Sequence, residues 1–112
     1  MKKFALTATD IKPRVKGYGG CIATELITVQ GYKVGYMYRD HPHNPQDSGW
    51  RFMAGIESPQ YMENAGNHAI YDVNTIANYD PDIIPLLDSP IGATYERDEE
   101  GDFIPAPPFE VN

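Results

Sequence analysis

The first half of the chain alternates apolar and polar residues with the two-residue period of a β-strand. This pattern predicts strands over Cys21–Val29, Lys33–Arg39 and Gly49–Ala54. In the second of these strands, Tyr36 and Tyr38 fall on the same face. The segment Asp40–Ser48 contains two prolines, which cannot donate to a strand ladder, so it is predicted to be a loop.

Short connections are expected to join these strands into antiparallel hairpins. The dipeptide Gln30-Gly31 is a candidate two-residue turn, in which the glycine supplies a positive φ. In the second hairpin we expect Tyr38 to pair with Trp50 and Tyr36 to pair with Phe52. Aromatic cross-strand pairs of this kind contribute about 0.2–1 kcal/mol each.

After residue 55 the pattern changes to short helical segments that follow polar capping residues. Helices are predicted over residues 58–64, 75–79 and 82–87, and strands over Ala69–Val73 and Ile91–Arg97. Ser58 and Asp80 each precede a proline, which is the usual start of a helix, and Asp72 or Asn74 can cap the middle helix. Pro85 is expected to interrupt the last helix. Its apolar residues should cover the sheet: Ile83, Ile84, Leu86 and Leu87.

These elements predict an α+β fold, with one small domain whose mostly antiparallel, twisted sheet carries short helices packed on one face. A chain of 112 residues fits one such domain. The predicted boundaries are an N-terminal arm over residues 1–20, the α+β domain over residues 21–104 and a C-terminal tail over residues 105–112. An acidic turn over residues 98–102 precedes a proline-rich, loose end of the chain.

Charge is distributed unevenly along the sequence, whose formal net charge is −7. Residues 1–16 carry five basic residues against Asp10, whereas residues 57–112 carry twelve acidic residues against Arg97 alone. Such a field repels nucleic acid and attracts basic partners. Because a basic groove is missing outside the N-terminal arm, no nucleic-acid partner is expected.

The cysteine content and the lack of long apolar runs indicate a cytoplasmic protein. Cys21 is the single cysteine, so an internal disulfide is excluded and a reducing compartment is expected. Lys2 and Lys3 precede the apolar segment Phe4–Thr9, but this run ends at Asp10, short of the roughly 7–15 apolar residues of a signal peptide. No run approaches the ~18 residues of a membrane span, so no membrane partner is expected.

The loop between the second and third strands contains the best candidate metal ligands. His41 and His43 lie near Asp40 and Asp47, and imidazole and carboxylate groups bind Zn²⁺ or Mn²⁺. His68 is a further candidate ligand. A small metal-dependent enzyme that uses His41, His43 and Asp47 is therefore one alternative function, with solvated loop histidines as the simpler interpretation.

Other catalytic signals are weak. Cys21 beside a histidine would be a nucleophile candidate, but its position at the head of an apolar strand is typical of a small buried residue. No G-x-S-x-G, H-E-x-x-H or C-x-x-C motif is present. The sequence therefore assigns no catalytic residue, cofactor or metal to the protein.

A protein-binding surface uses more of the residues that are present, because Trp, Tyr and Arg dominate the energetics of interfaces. The predicted partner-binding residues are Arg39, Asp40, Asp47, Trp50, Arg51, Tyr61, Asp80 and Asp82. For Trp50, the alternative interpretation is that its ring anchors the core of the sheet.

Three segments resemble a known bacterial family. They are Gly-Tyr-Met-Tyr-Arg at residues 35–39, Asp-Ser-Gly-Trp-Arg-Phe at residues 47–52, and Ile-Tyr-Asp-Val-Asn-Thr-Ile-Ala-Asn-Tyr-Asp-Pro at residues 70–81. They are similar to immunity protein family thirty-three of the polymorphic-toxin systems, and the likeness covers about residues 21–102. The resemblance implies an α+β fold and an antidote that binds and neutralises a toxin encoded beside it. It implies no catalytic residues.

The leading hypothesis is therefore a non-enzymatic inhibitor that occludes the active or substrate-binding surface of a cognate protein toxin. A toxin that acts on nucleic acid would offer a basic cleft to the acidic surface of this chain. The alternatives are the metal-dependent enzyme above and a housekeeping protein-interaction module, such as a homodimer formed through an exposed strand edge. A monomer or a weak homodimer is expected.

Overall fold

The computed structural model describes residues 3–107, which form a six-stranded sheet with short helices. The strands are β1 (Gly20–Thr24), β2 (Tyr36–Arg39), β3 (Asp47–Met53), β4 (His68–Asp72), β5 (Thr94–Arg97) and β6 (Phe103–Pro105). The α-helices are α1 (Glu25–Thr28), α2 (Pro59–Glu63) and α3 (Val73–Tyr79), and 3₁₀ helices span Ala8–Asp10, Ala65–Asn67 and Pro81–Leu86. No helix of this part of the chain is long and apolar enough to cross a bilayer.

The strands lie in the order β4-β1-β3-β2-β5-β6. Only the β1–β3 pair is parallel, while β4–β1, β3–β2, β2–β5 and β5–β6 are antiparallel. The predicted α+β class, with one mostly antiparallel sheet, is confirmed. The second predicted hairpin is also present, formed by β2 and β3 around the proline-containing loop.

One face of the sheet, the inner face, packs against α1, α3 and the 3₁₀ helix Pro81–Leu86. Alternation along β3 directs Trp50 and Phe52 to this face, where their rings stack with centroids 6.0 Å apart. The other fully buried core residues include Ala23, Ile27, Val34, Met37, Val73, Ile76, Ala77, Ile83 and Leu87. The prediction that the last helical segment covers the sheet is confirmed, with Ile84 and Leu86 partly buried beside the core.

The predicted helix caps are in place. The Ser58 side chain accepts a bond from the backbone N–H of Tyr61, with Pro59 as the first helical residue. Asp72, not Asn74, caps α3 by accepting from the Asn74 backbone N–H at 2.8 Å. Asp80 caps the following segment, which forms a 3₁₀ helix with Pro85 inside it.

The predicted strand Cys21–Val29 is wrong in its second half, because residues 25–28 form α1. Tertiary contacts favour this turn of helix: Ile27 and Thr28 are fully buried, and the Tyr79 hydroxyl donates to the carbonyl oxygen of Thr28 at 2.7 Å. No hairpin therefore joins β1 to β2, and β1 pairs with β3 and β4 instead. Gly31 nevertheless has the expected positive φ, at 82°.

The predicted register of the second hairpin is shifted by one residue. In the sheet, Tyr38 lies opposite Arg51 and Arg39 lies opposite Trp50. A slip of one residue moves every side chain to the other face, and here the burial of Trp50 in the core decides the face. The third strand also begins two residues earlier than predicted, at Asp47.

The two ends of the described chain are more ordered than the sequence predicts. Residues 103–105 form β6 on the outside of β5, so the prediction of a loose segment is wrong there. In the arm, the backbone carbonyl of Lys12 accepts from the side-chain amides of Asn74 and Asn78 on α3 at 3.0 and 2.8 Å. Residues 108–112 of the predicted tail lie outside the described residues.

Candidate partner-binding face

The face of the sheet that points away from α3, here called the outer face, presents a mixed aromatic and polar surface. The register places six residues of the central strands together on it: Ile22, Tyr36, Tyr38, Arg51, Met53 and Glu96. The rings of Tyr36 and Tyr38 lie with their centroids 6.0 Å apart and their planes at 49°. A half-buried tyrosine pair on a sheet face is typical of a binding surface.

Three adjoining cavities run across the outer face. The first, of about 240 Å³, lies between Ile70 on β4 and the β2–β3 loop. The second, of about 230 Å³, shares Ile22 and His43 with the first. The third, of about 400 Å³, shares Met53 and Met62 with the second. The shared lining residues join the cavities into one open groove with apolar walls.

An ion pair between Asp47 and Arg51 fixes the β2–β3 loop at this groove. The two guanidinium nitrogens of Arg51 donate to the two carboxylate oxygens of Asp47 at 3.0 and 2.8 Å. The same carboxylate accepts backbone N–H groups from His43 at 2.8 Å and Gly49 at 2.9 Å. Both side chains are nearly buried, so the pair holds the loop in one conformation.

This geometry shifts the pKa values of both partners so that each stays charged. The Arg51 guanidinium, followed by the N–H groups of His43 and Gly49, holds the pKa of Asp47 well below its usual range. The same hydrogen bond raises the pKa of Arg51. Asp47 therefore remains ionised throughout the physiological pH range.

The Asp47 pair is expected to make stability fall at acid pH. A carboxyl whose folded-state pKa is depressed stabilises the fold fully above its unfolded pKa of about 3.9, and this contribution is lost as the pH falls below that value. Between about pH 6 and pH 3, the protein should lose about 1 kcal/mol more unfolding free energy than its Asp47→Asn variant. Denaturant unfolding of both proteins at each pH measures the difference, and parallel pH curves would contradict the expectation.

The outer face also carries surplus negative charge. Its two arginines are already paired, Arg51 with Asp47 and Arg97 with carboxylates at the end of the sheet. The cavities are also lined by Asp40, Glu57 and Glu96, to which no described lysine or arginine forms an ion pair. The groove therefore combines apolar lining residues with carboxylates that have no cationic partner among the described residues.

The β2–β3 hairpin divides its predicted binding residues between the two faces. Asp40, Asp47 and Arg51 line the groove, and Asp40 is exposed. Arg39 lies on the inner face, where its guanidinium is 5.8 Å from the ring centroid of Trp50. It donates to the carbonyl oxygens of Ser48 at 3.0 Å and Ser89 at 2.7 Å, so it connects the hairpin to the segment after the last helix.

Two of the residues predicted to bind a partner are fully buried, so the prediction is wrong for them. Trp50 and Asp80 have no exposed surface, so neither side chain can touch a partner. Asp82 is exposed but does not line the groove. Its carboxylate accepts a hydrogen bond from Arg97 at 3.0 Å. Tyr61 lies half-buried on α2, where desolvation raises the pKa of its hydroxyl.

The described residues give no geometric support to a metal site in the β2–β3 loop or to a nucleophile at Cys21. Within residues 3–107, His41, His43 and Asp47 are not among the groups of three side chains whose ligand atoms converge. The Asp47 carboxylate is occupied by Arg51 and backbone donors. Burial strongly raises the pKa of the Cys21 thiol, as expected for a core residue and not for a nucleophile.

Sequence reasoning missed part of the groove. Met53 and Met62 line two of its cavities, and Ile22 lines two as well. Strand alternation places Tyr36 and Tyr38 on one face, and this pattern is the signal in the sequence that could have identified the outer face. Alternation alone was not sufficient, because the predicted register paired Tyr38 with Trp50 and so placed the two tyrosines on the same face as the core tryptophan.

The family model of the Immunity protein Imm33 domain matches residues 21–106. The chain belongs to this family. The resemblance inferred from the sequence is thereby confirmed. The chain has no match among the curated proteins and none among the solved structures.

Much of the sequence that indicates the Imm33 family stabilises the fold. In residues 47–52, Gly49 has φ 89°, and a Cβ there would overlap the carbonyl oxygen of Asp40. In residues 70–81, Asn74 and Asn78 hold the arm and Asp80 is buried. The most specific segments therefore identify the Imm33 fold more directly than a binding surface.

Proposed function

We propose that this Imm33 protein is a non-enzymatic antidote that binds a cognate toxin of a polymorphic-toxin system through its outer face. The observation that carries the proposal is the groove of three adjoining cavities across the sheet, whose apolar lining is combined with carboxylates that have no cationic partner within residues 3–107. The family description supports the general role of an immunity protein. The cytoplasm is the proposed site of action.

The composition of the groove suits a stable interface. Protein interfaces combine an apolar or aromatic centre with a polar rim, and Tyr, Met and Arg are enriched in them. Here Tyr36, Tyr38 and Met62 supply apolar surface. Met53 lines the groove but is itself nearly buried, and the exposed Asp40 and Glu96 supply the polar rim. The sheet fixes the backbone of Tyr36 and Tyr38, so little conformational entropy is lost there when a partner binds.

The charge of the groove favours a basic partner. Uncompensated carboxylates at its margin attract cationic surfaces and accelerate association at low salt. A toxin that acts on nucleic acid fits this requirement, because its substrate-binding cleft must be basic. Occupation of that cleft by the acidic face of this protein would block the substrate.

The product of the neighbouring open reading frame is the direct probe for this proposal. The full chain should form a stable complex with that protein and restore growth to cells that express it. A neighbouring product that is harmless and does not bind would contradict the proposed function.

Reversal of charge at the rim tests the proposed face. The double variant Asp40→Lys, Glu96→Lys should weaken the complex about tenfold or more at low salt, and added salt should narrow the difference. Both residues are exposed, so folding should be preserved. Titration calorimetry at two salt concentrations measures the effect.

The matched control is the double variant Glu99→Lys, Glu100→Lys. It makes the same change in net charge at exposed positions in the turn between β5 and β6, outside the residues that line the groove. Its affinity should stay close to that of the wild type. Equal losses in the two variants would show that net charge matters and that the outer face does not.

A further inference from the structure

Strand β4 forms an edge of the sheet at which no other strand of residues 3–107 pairs. It pairs with β1 on one side and stands at the end of the strand order. Its central residue, Ile70, has 77 % of its surface exposed, more than any other large apolar residue described. An exposed edge strand with an exposed apolar side chain is a template for pairing with another chain.

The hydrogen-bond pattern shows which backbone groups face outward. Val73 donates its N–H to the carbonyl oxygen of Gly19 at 2.9 Å, which continues the β1–β4 ladder by one pair. Bonded pairs alternate along an antiparallel ladder, so Tyr71 and Ala69 also bond to β1. The N–H and C=O of Ile70 therefore point away from β1, and no hydrogen bond of residues 3–107 reaches them from that side.

The two edges of the sheet differ in their protection. At the opposite edge, β6 has only three residues and ends with Pro105. Prolines and short strands are the usual means of blocking edge pairing. Strand β4 has five residues, His-Ala-Ile-Tyr-Asp, without proline or lysine. Its edge is open to a further strand.

We propose that β4 pairs with β4 of a second copy of this chain, antiparallel and around a two-fold axis at Ile70. This arrangement places Ile70 of one copy opposite Ile70 of the other, and His68 opposite Asp72. The sequence is self-complementary in this register, with an apolar pair at the centre and an imidazole–carboxylate pair on each side.

The backbone groups fit the same register. The two Ile70 residues exchange two N–H···O bonds, and each Asp72 N–H donates to the carbonyl oxygen of His68 in the other copy. The N–H of His68 is not needed, since it already donates to the carbonyl oxygen of Ala65. The pairing thus forms four intermolecular hydrogen bonds and one continuous sheet of twelve strands.

The symmetry keeps the two outer faces available. An axis perpendicular to the sheet leaves both on the same side, so dimer formation extends that surface without covering it. Each copy carries a formal charge of −7, and the pairing strands are short. The copies therefore repel each other at long range, and added salt should strengthen the dimer by screening this repulsion.

Sedimentation velocity of the isolated protein over a concentration series, at low and high salt, tests the proposal. The wild type should shift from monomer to dimer as its concentration rises, at lower concentrations in high salt. Ile70→Lys should remain monomeric. The matched control, Ile104→Lys, changes an exposed isoleucine on the other edge strand and should dimerise like the wild type.

Hydrogen–deuterium exchange provides a second measurement that needs no variant. The amides of Ile70 and Asp72 should exchange more slowly as the wild-type concentration rises. A wild type that stays monomeric at millimolar concentration, or a dimer that Ile104→Lys disrupts and Ile70→Lys does not, would overturn the proposal. If the wild type is monomeric and Ile70→Lys instead weakens binding of the neighbouring gene product, the edge belongs to the toxin interface.

Discussion

Replacement of Asp80 by alanine is expected to lower the free energy of unfolding by about 3–5 kcal/mol. The Asp80 carboxylate is fully buried and accepts from the Arg97 guanidinium at 2.6 Å and from the Val34 backbone N–H at 3.0 Å. Its other oxygen accepts from the Asp82 N–H at 3.1 Å. The variant removes the shared acceptor of these donors at a position with no exposed surface, which is the costly outcome for a buried ion pair.

Arg97 explains why this site affects the whole molecule. It is the only basic residue of residues 57–112, and its guanidinium also donates to the carbonyl oxygens of Val34 at 3.0 Å and Gly101 at 2.7 Å. The group lies 3.9 Å from the ring centroid of Phe103 on β6. Loss of Asp80 therefore weakens the attachment of β5, β6 and the last helix at once.

Asp82→Ala is the matched control for Asp80→Ala. Asp82 binds the same guanidinium at 3.0 Å, but 60 % of its side chain is exposed. Exposed ion pairs contribute about 0–1 kcal/mol, so this variant should unfold almost as the wild type does. Denaturant unfolding of both variants measures the contrast. Similar losses in the two would show that burial of Asp80 does not determine the strength of its contacts.

Trp50→Ala is expected to cost a similar amount, about 3–5 kcal/mol. The ring is fully buried, stacks on Phe52 at 6.0 Å and donates its indole N–H to the carbonyl oxygen of Leu87 at 3.1 Å. Truncation removes this contact between β3 and the last helical segment and leaves a large cavity in the core. The variant should therefore unfold at much lower denaturant concentration.

Two further variants locate the origin of the Trp50 effect. Trp50→Phe keeps most of the apolar ring and loses the bond to Leu87, so its cost should be smaller, about 1–3 kcal/mol. Tyr32→Ala removes an aromatic side chain that is 49 % exposed and should change stability by less than about 0.5 kcal/mol. A Trp50→Ala protein with the wild-type unfolding midpoint would contradict the assignment of this ring to the core.

These variants also separate stability from binding. Trp50 and Asp80 act inside the fold, whereas Asp40 and Glu96 lie at the surface of the groove. Below their unfolding transitions, the two core variants should retain the affinity of the wild type for the proposed toxin partner. The rim variant should retain the stability of the wild type and lose affinity.

Neighbouring residues were enough to predict the local features of the protein. Short-range signals are sufficient for a capping residue, such as Ser58 before Pro59, and for a glycine with positive φ, such as Gly31, because each depends on neighbours within a few residues. Alternation correctly grouped Tyr36 with Tyr38 on one face. The three quoted segments were also sufficient to indicate the Imm33 family, whereas the basic partner suggested by the acidic second half stays a prediction.

Long-range packing sets which face of the sheet each group occupies and which distant residues come into contact. Residues 25–28 form a helix because buried contacts with α3 outweigh their strand propensity. Asp80 meets Arg97 seventeen positions later, and the register of β2 against β3 follows the burial of Trp50. Periodicity shows which side chains point the same way, but the choice between core and solvent is a free-energy difference set by long-range packing, and no local pattern contains it.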